Sequence, residues 1–211
     1  MSVKKDYYKK LADTVIKGLT KRHMEGYYCE TIEEAKTLAM SLVADGSSTA
    51  WGGSVTLDEV GILDALRERS DLTVLDRSKA TSPEETKKIF HESLSCDYYF
   101  MSSNAITQDG ELINIDGTGN RVAALIYGPE NVIILAGMNK IVKNVEEGVT
   151  RSRDIAASQN CIRLSKNTPC SVTGVCGNCL GDTICDQIVI TRASRVPNRI
   201  KVILVGEVLG F

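Results

Sequence analysis

An α/β fold with a largely parallel sheet flanked by helices is the class this sequence predicts, and three observations predict it. Apolar runs of strand length (Tyr98 to Met101, Leu112 to Ile115, Val132 to Ala136) are each followed by small or polar residues. Helix-start signals alternate with such runs along the chain, which is the pattern of a sheet covered on both faces. The stretch Asp97 to Val142 condenses this into strand, turn, strand, Gly-rich loop, short helix and strand, and ligand sites in open α/β sheets gather at the carboxyl ends of such strands.

The elements follow in order. Tyr7, Leu11, Val15 and Leu19 recur every four residues among lysines, predicting a packing helix over residues 3 to 23. Thr31-Ile32-Glu33-Glu34 fits a capping box that opens a second helix through Val43. Ser47 to Trp51 reads as a strand that runs through Gly52-Gly53-Ser54-Val55 into a helix from Thr56 to Arg67. Leu72 to Leu75 is a short strand candidate, and Ser82-Pro83-Glu84-Glu85 starts a helix with proline at the first position, where a missing amide is harmless. After the central stretch, Asn144-Val145-Glu146-Glu147 opens a helix reaching about Ala157, and Val202 to Val205 is a last apolar strand.

The 211 residues, 43% hydrophobic, suffice for one sizeable core, so a single domain is expected over residues 1–211 with a Cys-rich loop at 161–185. With 25 basic and 27 acidic residues the formal charge is -2, which favours neither nucleic acid nor anionic membrane as a partner. No segment approaches the roughly 20 apolar residues of a membrane span, and the charged start of the chain has no signal-like apolar core. Seven cysteines, five of them between Cys161 and Cys185, suit a reducing compartment, so the expectation is cytoplasmic. Cys29 and Cys96 read as buried small hydrophobes.

Paired glycines between a strand and a helix start let backbone amides approach an anion, so Gly52, Gly53 and Ser54 form a candidate carboxylate or phosphate cradle; a tight turn needing glycine is the alternative. The pattern is neither a dinucleotide fingerprint nor a Walker loop. Asp58 and Glu59 would repel an anion if they pointed inward and are expected to face away. Arg121 follows Asp116-Gly117-Thr118-Gly119-Asn120, and its planar fork suits a carboxylate or phosphate; an ion pair with Asp116 is the alternative. Asp116, Gly117, Gly119 and Asn120 join it as ligand candidates. Lys140 follows the apolar run 132–136 and would bind an anion or, if desolvated, act as a base. Asn104 is a further polar candidate, Glu207 beyond the final strand is another, and Asp109 reads as a turn residue. His23 and His91 lie in polar helical stretches and give no catalytic triad.

Cys170, Cys176, Cys179 and Cys185 are separated by five, two and five residues. Four thiolates in so short a loop are a candidate metal site, an iron-sulfur cluster by preference and zinc as the alternative, with Cys161 as a spare ligand. Thiols that bind nothing are the third possibility.

The runs Ser103-Asn104-Ala105-Ile106-Thr107-Gln108-Asp109-Gly110, Asp116-Gly117-Thr118-Gly119-Asn120-Arg121-Val122-Ala123-Ala124 and Gly137-Met138-Asn139-Lys140-Ile141-Val142 closely resemble the LUD-domain family, which includes lactate-utilisation protein C. Gly52 to Thr56 and Arg199 to Phe211 resemble it too. The resemblance implies a fold like that of the ribose-5-phosphate isomerase, glucosamine-6-phosphate deaminase and CoA-transferase group, and a link to bacterial lactate oxidation. In CoA-transferases of that broader group a glutamate is the nucleophile, but their motif does not map onto Glu207. Longer members carry ferredoxin-like Cys-x-x-Cys repeats, from which this sequence departs. The expectation is a redox-associated component of lactate or related organic-acid utilisation that binds a small anionic ligand and works with redox partner subunits. Two alternatives stand beside it: a non-redox isomerase or transferase acting on a sugar phosphate or CoA ester, and a non-catalytic subunit with a structural zinc loop. Whether the chain is an enzyme stays open at this point.

Overall fold

The computed structural model describes residues 2–211. Helix α1 (Val3–Lys21) leads through β1 (Glu25–Cys29), α2 (Ile32–Ser41) and β2 (Ser48–Trp51) to α3 (Val55–Val60) and α4 (Ile62–Glu68). Then come β3 (Thr73–Val74), α5 (Pro83–Glu92), β4 (Tyr98–Met101), β5 (Ala105–Thr107), β6 (Leu112–Asp116), α6 (Asn120–Ile126), β7 (Asn131–Gly137) and β8 (Ile141–Val142). The last part holds α7 (Val145–Arg151), a wide π-helical stretch Ser152–Ala157, α8 (Ser158–Arg163), α9 (Pro169–Thr173), β9 (Gln187–Thr191) and β10 (Ile200–Val205). No helix among the described residues is long and apolar enough to cross a membrane.

Six strands form an all-parallel sheet in the order β1-β10-β7-β4-β2-β3. Strand β7 shows why it is buried on both faces. Val132, Ile134 and Ala136 pack with Ala12, Val15 and Leu19 of α1, while Ile133 and Leu135 point the other way, to Ala35 and Ala39 of α2 and Leu57 of α3. Side chains alternate across a strand, so a continuous apolar run feeds two cores at once.

Helix caps form where local spacing places them. Thr31, Ser82 and Asn144 accept from the amides of Glu34, Glu85 and Glu147. Glu34 reaches back one residue further than a capping box requires, to the amide of Glu30. On α1 the buried residues are Ala12, Val15, Gly18 and Leu19. Tyr7 is 57% exposed, because a strict spacing of four drifts around a helix of 3.6 residues per turn.

Three expectations need correction. The helix foreseen from Thr56 to Arg67 is broken in two at Gly61, whose φ of 72° is left-handed. Leu112–Asp116 does not join the parallel sheet. It belongs to a second, mixed sheet ordered β8-β5-β6-β9, in which β5/β6 and β6/β9 are antiparallel. The helix from Asn144 continues beyond Ala157 through its π-helical stretch to Arg163.

The second sheet is fastened to α1 at the β5–β6 turn. Gly110 has a φ of 86°, and a Cβ there would meet the Leu19 amide nitrogen at 2.4 Å, while one on Gly18 would meet the Asp109 carbonyl at the same distance. Helix and turn touch backbone to backbone, which only glycine permits.

Candidate functional site

The carboxyl ends of β2, β4 and β7 converge on a polar cleft of about 280 Å³. Its lining includes Gly53, Ser54 and Thr56 after β2, Ser102 to Asn104 after β4, Asp116 at the end of β6 and Gly117 after it, and Lys140 after β7. Ala156, Ala157, Asn160 and Arg163 come from the π-helical stretch and α8, and Ile184 and Phe211 also line it. A π-helical insertion shifts the helix face it presents, and here it faces the cleft.

Lys140 is the group the surroundings alter most usefully. The turn Met138–Lys140 buries it to 4% exposure. Its Nζ donates to Thr56 Oγ1 at 2.8 Å and Ser102 Oγ at 3.0 Å. Burial, then the charges of Arg151 and Arg121, push its pKa from 10.5 down to about 7, with Glu59 only partly opposing them. Glu59 is not in ion-pair contact with it; its carboxylate accepts from the Gly210 amide at 2.6 Å.

Arg121 is held differently from a ligand-seeking arginine. Its Nη1 donates to Ser102 O at 2.9 Å and Asn114 Oδ1 at 2.6 Å, and its Nη2 to Asn104 Oδ1 at 3.0 Å and to the Ile115 carbonyl. Nε lies 3.7 Å from Asp116 Oδ2. The guanidinium is spent on clamping the β4 and β6 ends together. Asn104 also accepts from the Ile115 amide, and Asp116 caps the start of α6 by accepting from Gly119 and Val122. Arg151, also buried, donates to the backbone oxygens of Asn139, Asn104 and Phe211.

Arg77 has the free fork. It lines the cleft, rests over the Phe90 ring at 5.6 Å, and its guanidinium makes no hydrogen bond or ion pair among the described residues. A Cβ on Gly53 would meet its Nη2 at 2.6 Å, and one on Gly52 would meet Arg121 Cγ and Cδ at 2.8 Å. The paired glycines thus make room for two arginine side chains. Arg163 adds a guanidinium that donates to Asn160 Oδ1.

Of the residues singled out in the sequence, Gly53, Ser54, Asn104, Asp116, Gly117, Asn120, Arg121 and Lys140 line the cleft. Gly52 lies behind Arg121, and Gly119 supplies the left-handed turn before α6. The Ser54 hydroxyl caps α3. Asp58 and Glu59 stay outside the lining, as does Glu207, whose Oε1 accepts from the Ile32 amide at the start of α2. Sequence reading missed Ser102, Arg77 and Arg163 as site residues, and took Thr56, although it lies in the run Gly52 to Thr56, only as a helix start. Only the fold brings the four together.

The cysteine segment packs beside this cleft, where Gly117 comes so close to the Ile184 backbone that a Cβ would sit 3.1 Å from it. Among the described residues no three Cys, His, Asp or Glu side chains converge as a metal site requires. Cys170 is buried and shares a hydrogen bond with Cys161, and its sulfur lies 3.3 Å from Thr168 Oγ1. Burial opposes ionisation of Cys170, but hydrogen bonds from Thr168, Cys161 and Ser158 outweigh it and hold the thiol below its ordinary pKa, while burial pushes Cys161 up to about 11. Cys176 instead receives a hydrogen bond from Arg153 at 3.5 Å. So Cys170, Cys176, Cys179 and Cys185 do not form one four-sulfur ligand set in this arrangement, for iron-sulfur or for zinc.

Among solved structures, a DUF162 family protein from Deinococcus radiodurans aligns with a TM-score of 0.53 at 13% identity, over 94% of this chain and 98% of that one. Ribose 5-phosphate isomerase A from Methanocaldococcus jannaschii aligns at 0.37 and 21% identity over 55% of each chain. The eIF2B delta protein of Chaetomium thermophilum aligns at 0.36 and 17% identity, over 68% of this chain and 55% of that one. No curated protein sequence matches. The LUD domain family matches over residues 12–205, and the chain belongs to that family.

Proposed function

We propose that this protein binds a small organic anion, a carboxylate, in the cleft beside Lys140. Membership of the LUD domain family supports a lactate-utilisation-related protein at the family level. The finer reading is that the cleft serves lactate or a related organic acid. The observation that carries it is the charge of the lining: the guanidiniums of Arg77, Arg121 and Arg163, with the amine of Lys140, face a single side-chain carboxylate, Asp116, and that one is already committed to Arg121 and the start of α6.

A planar guanidinium without an internal partner is suited to a planar carboxylate, and Arg77 is that group. Lys140 and the hydroxyls of Thr56 and Ser102 supply donors at the buried end. The cleft is at the small end of ligand pockets, which run from about 300 to 1,000 Å³, and so fits a compact acid better than a dinucleotide or CoA ester. Seven cysteines, five of them crowded between Cys161 and Cys185, suit a reducing, cytoplasmic setting better than a disulfide framework.

Calorimetric titration with L-lactate, pyruvate and inorganic phosphate tests this. Pyruvate or lactate should bind, and Arg77→Ala should weaken binding about tenfold or more, the usual worth of a charge-assisted hydrogen bond. Absence of heat with either acid, or an Arg77→Ala affinity equal to the parent's, would overturn the reading.

A further inference from the structure

We propose that Lys140 is a covalent site for 2-oxo acids, its Nζ forming an imine with the C2 carbonyl while Arg77 holds the adjacent carboxylate. The proposal rests on the carboxylate-binding reading and adds a reaction to it.

Geometry supports a nucleophilic amine. A neutral amine has two N–H bonds and one lone pair. Two hydroxyls, Thr56 Oγ1 at 2.8 Å and Ser102 Oγ at 3.0 Å, are placed to take the two N–H bonds, which leaves the lone pair as the remaining corner. No carboxylate lies within ion-pair distance among the described residues, and the nearest buried charges, Arg151 and Arg121, are of like sign. Both disfavour the ammonium form, consistent with its displacement toward neutrality. Gly210 leaves room on this side: a Cβ there would crowd Thr56 Oγ1 at 2.5 Å and lie 3.4 Å from Nζ.

The step balances without an oxidant or reductant. The Nζ lone pair adds to the C2 carbonyl carbon, giving a carbinolamine. The two amine hydrogens pass to the carbonyl oxygen, with the Thr56 and Ser102 hydroxyls placed to relay them. That oxygen leaves as water, and a carbon–nitrogen double bond remains. Hydrolysis reverses it. A 2-oxo acid suits the site because its carboxylate is one bond from the carbonyl, so anion recognition and electrophile fit in a small cleft.

The test uses the full chain with pyruvate and sodium borohydride, which adds hydride to the imine carbon and fixes it as a secondary amine, followed by peptide mass mapping. Lys140 should carry the adduct ahead of exposed lysines such as Lys4 and Lys79. L-Lactate, which has the carboxylate and no carbonyl, should protect it, and Arg77→Ala should slow labelling about tenfold. Equal labelling of Lys140 and the exposed lysines, or Lys140 labelling indifferent to lactate, would overturn the proposal. Labelling by ribose 5-phosphate but not by pyruvate would overturn the substrate class. Calorimetric pyruvate binding with no Lys140 adduct would overturn the imine and leave the carboxylate-binding reading standing; no binding of either acid would remove both.

Discussion

Replacing Lys140 by methionine should stabilise the protein at acid pH and lose that advantage as pH rises. Lys140 is 4% exposed, and burial with Arg151 and Arg121 nearby displaces its pKa from 10.5 to about 7. At about 1.36 kcal/mol per pH unit that displacement is about 5 kcal/mol of unfavourable charging. The sign follows from proton counts. Below pH 7 both folded and unfolded chains carry the ammonium, and the folded state bears the whole penalty. Between pH 7 and 10.5 the unfolded chain binds more protons, so stability rises with pH, and by pH 9.5 about 3 kcal/mol of the penalty is relieved. Methionine keeps the volume and removes the charge, but deprives Thr56 and Ser102 of a donor, a loss of about 1–3 kcal/mol. Urea unfolding at pH 6 should therefore show Lys140→Met more stable by about 2–4 kcal/mol, with the difference shrinking by about 3 kcal/mol at pH 9.5. Arginine neighbours stay charged throughout, so they do not confuse the comparison. A stability difference independent of pH would refute the claim that this amine is near neutrality in the fold.

Other expectations follow from the same contacts. Arg77→Ala should leave the melting temperature nearly unchanged, whereas Arg121→Ala, which strips partners from Ser102, Ile115, Asn104, Asn114 and Asp116, should cost about 3–5 kcal/mol in urea unfolding; comparable losses in the two would deny their different roles. Gly110→Ala should be severely destabilising, by about 3 kcal/mol or more, because a left-handed φ and a backbone clash with Leu19 act together, and a variant that melts with the parent would place the β5–β6 turn away from α1. Elemental analysis of protein purified without oxygen tests the cysteine segment: stoichiometric iron or zinc lost in both Cys176→Ser and Cys179→Ser would show that these thiols close on a metal when it is supplied, and a metal content equal to the parent's in both variants would show that they do not.

What was legible in the sequence is what local chemistry decides. The caps at Thr31, Ser82 and Asn144 each close a bond over three residues, so their residue types announce them. The run Val132 to Ala136 announces a strand buried on both faces. The second sheet was hidden because β5 is three residues long, β8 two, and β9 exposes Ile188 and Ile190 beyond the short turn-rich cysteine segment. At the site, Lys140 stood out for its place after an apolar strand. Arg121 stood out as well, yet its role depends on Asn104 and Asn114, whose carbonyl oxygens reach it only once β5 has paired with β6 beside the end of β4. Arg77 comes from a turn with no motif, and its importance lies in lacking partners, which no sequence pattern records.

A crystal structure of the protein soaked with pyruvate tests the central claim most directly. The account predicts the carboxylate within hydrogen-bond distance of the Arg77 guanidinium and the C2 carbon at Lys140 Nζ, between the hydroxyls of Thr56 and Ser102. Pyruvate bound elsewhere, with Arg77 still resting on Phe90 and the cleft holding only solvent, would contradict it.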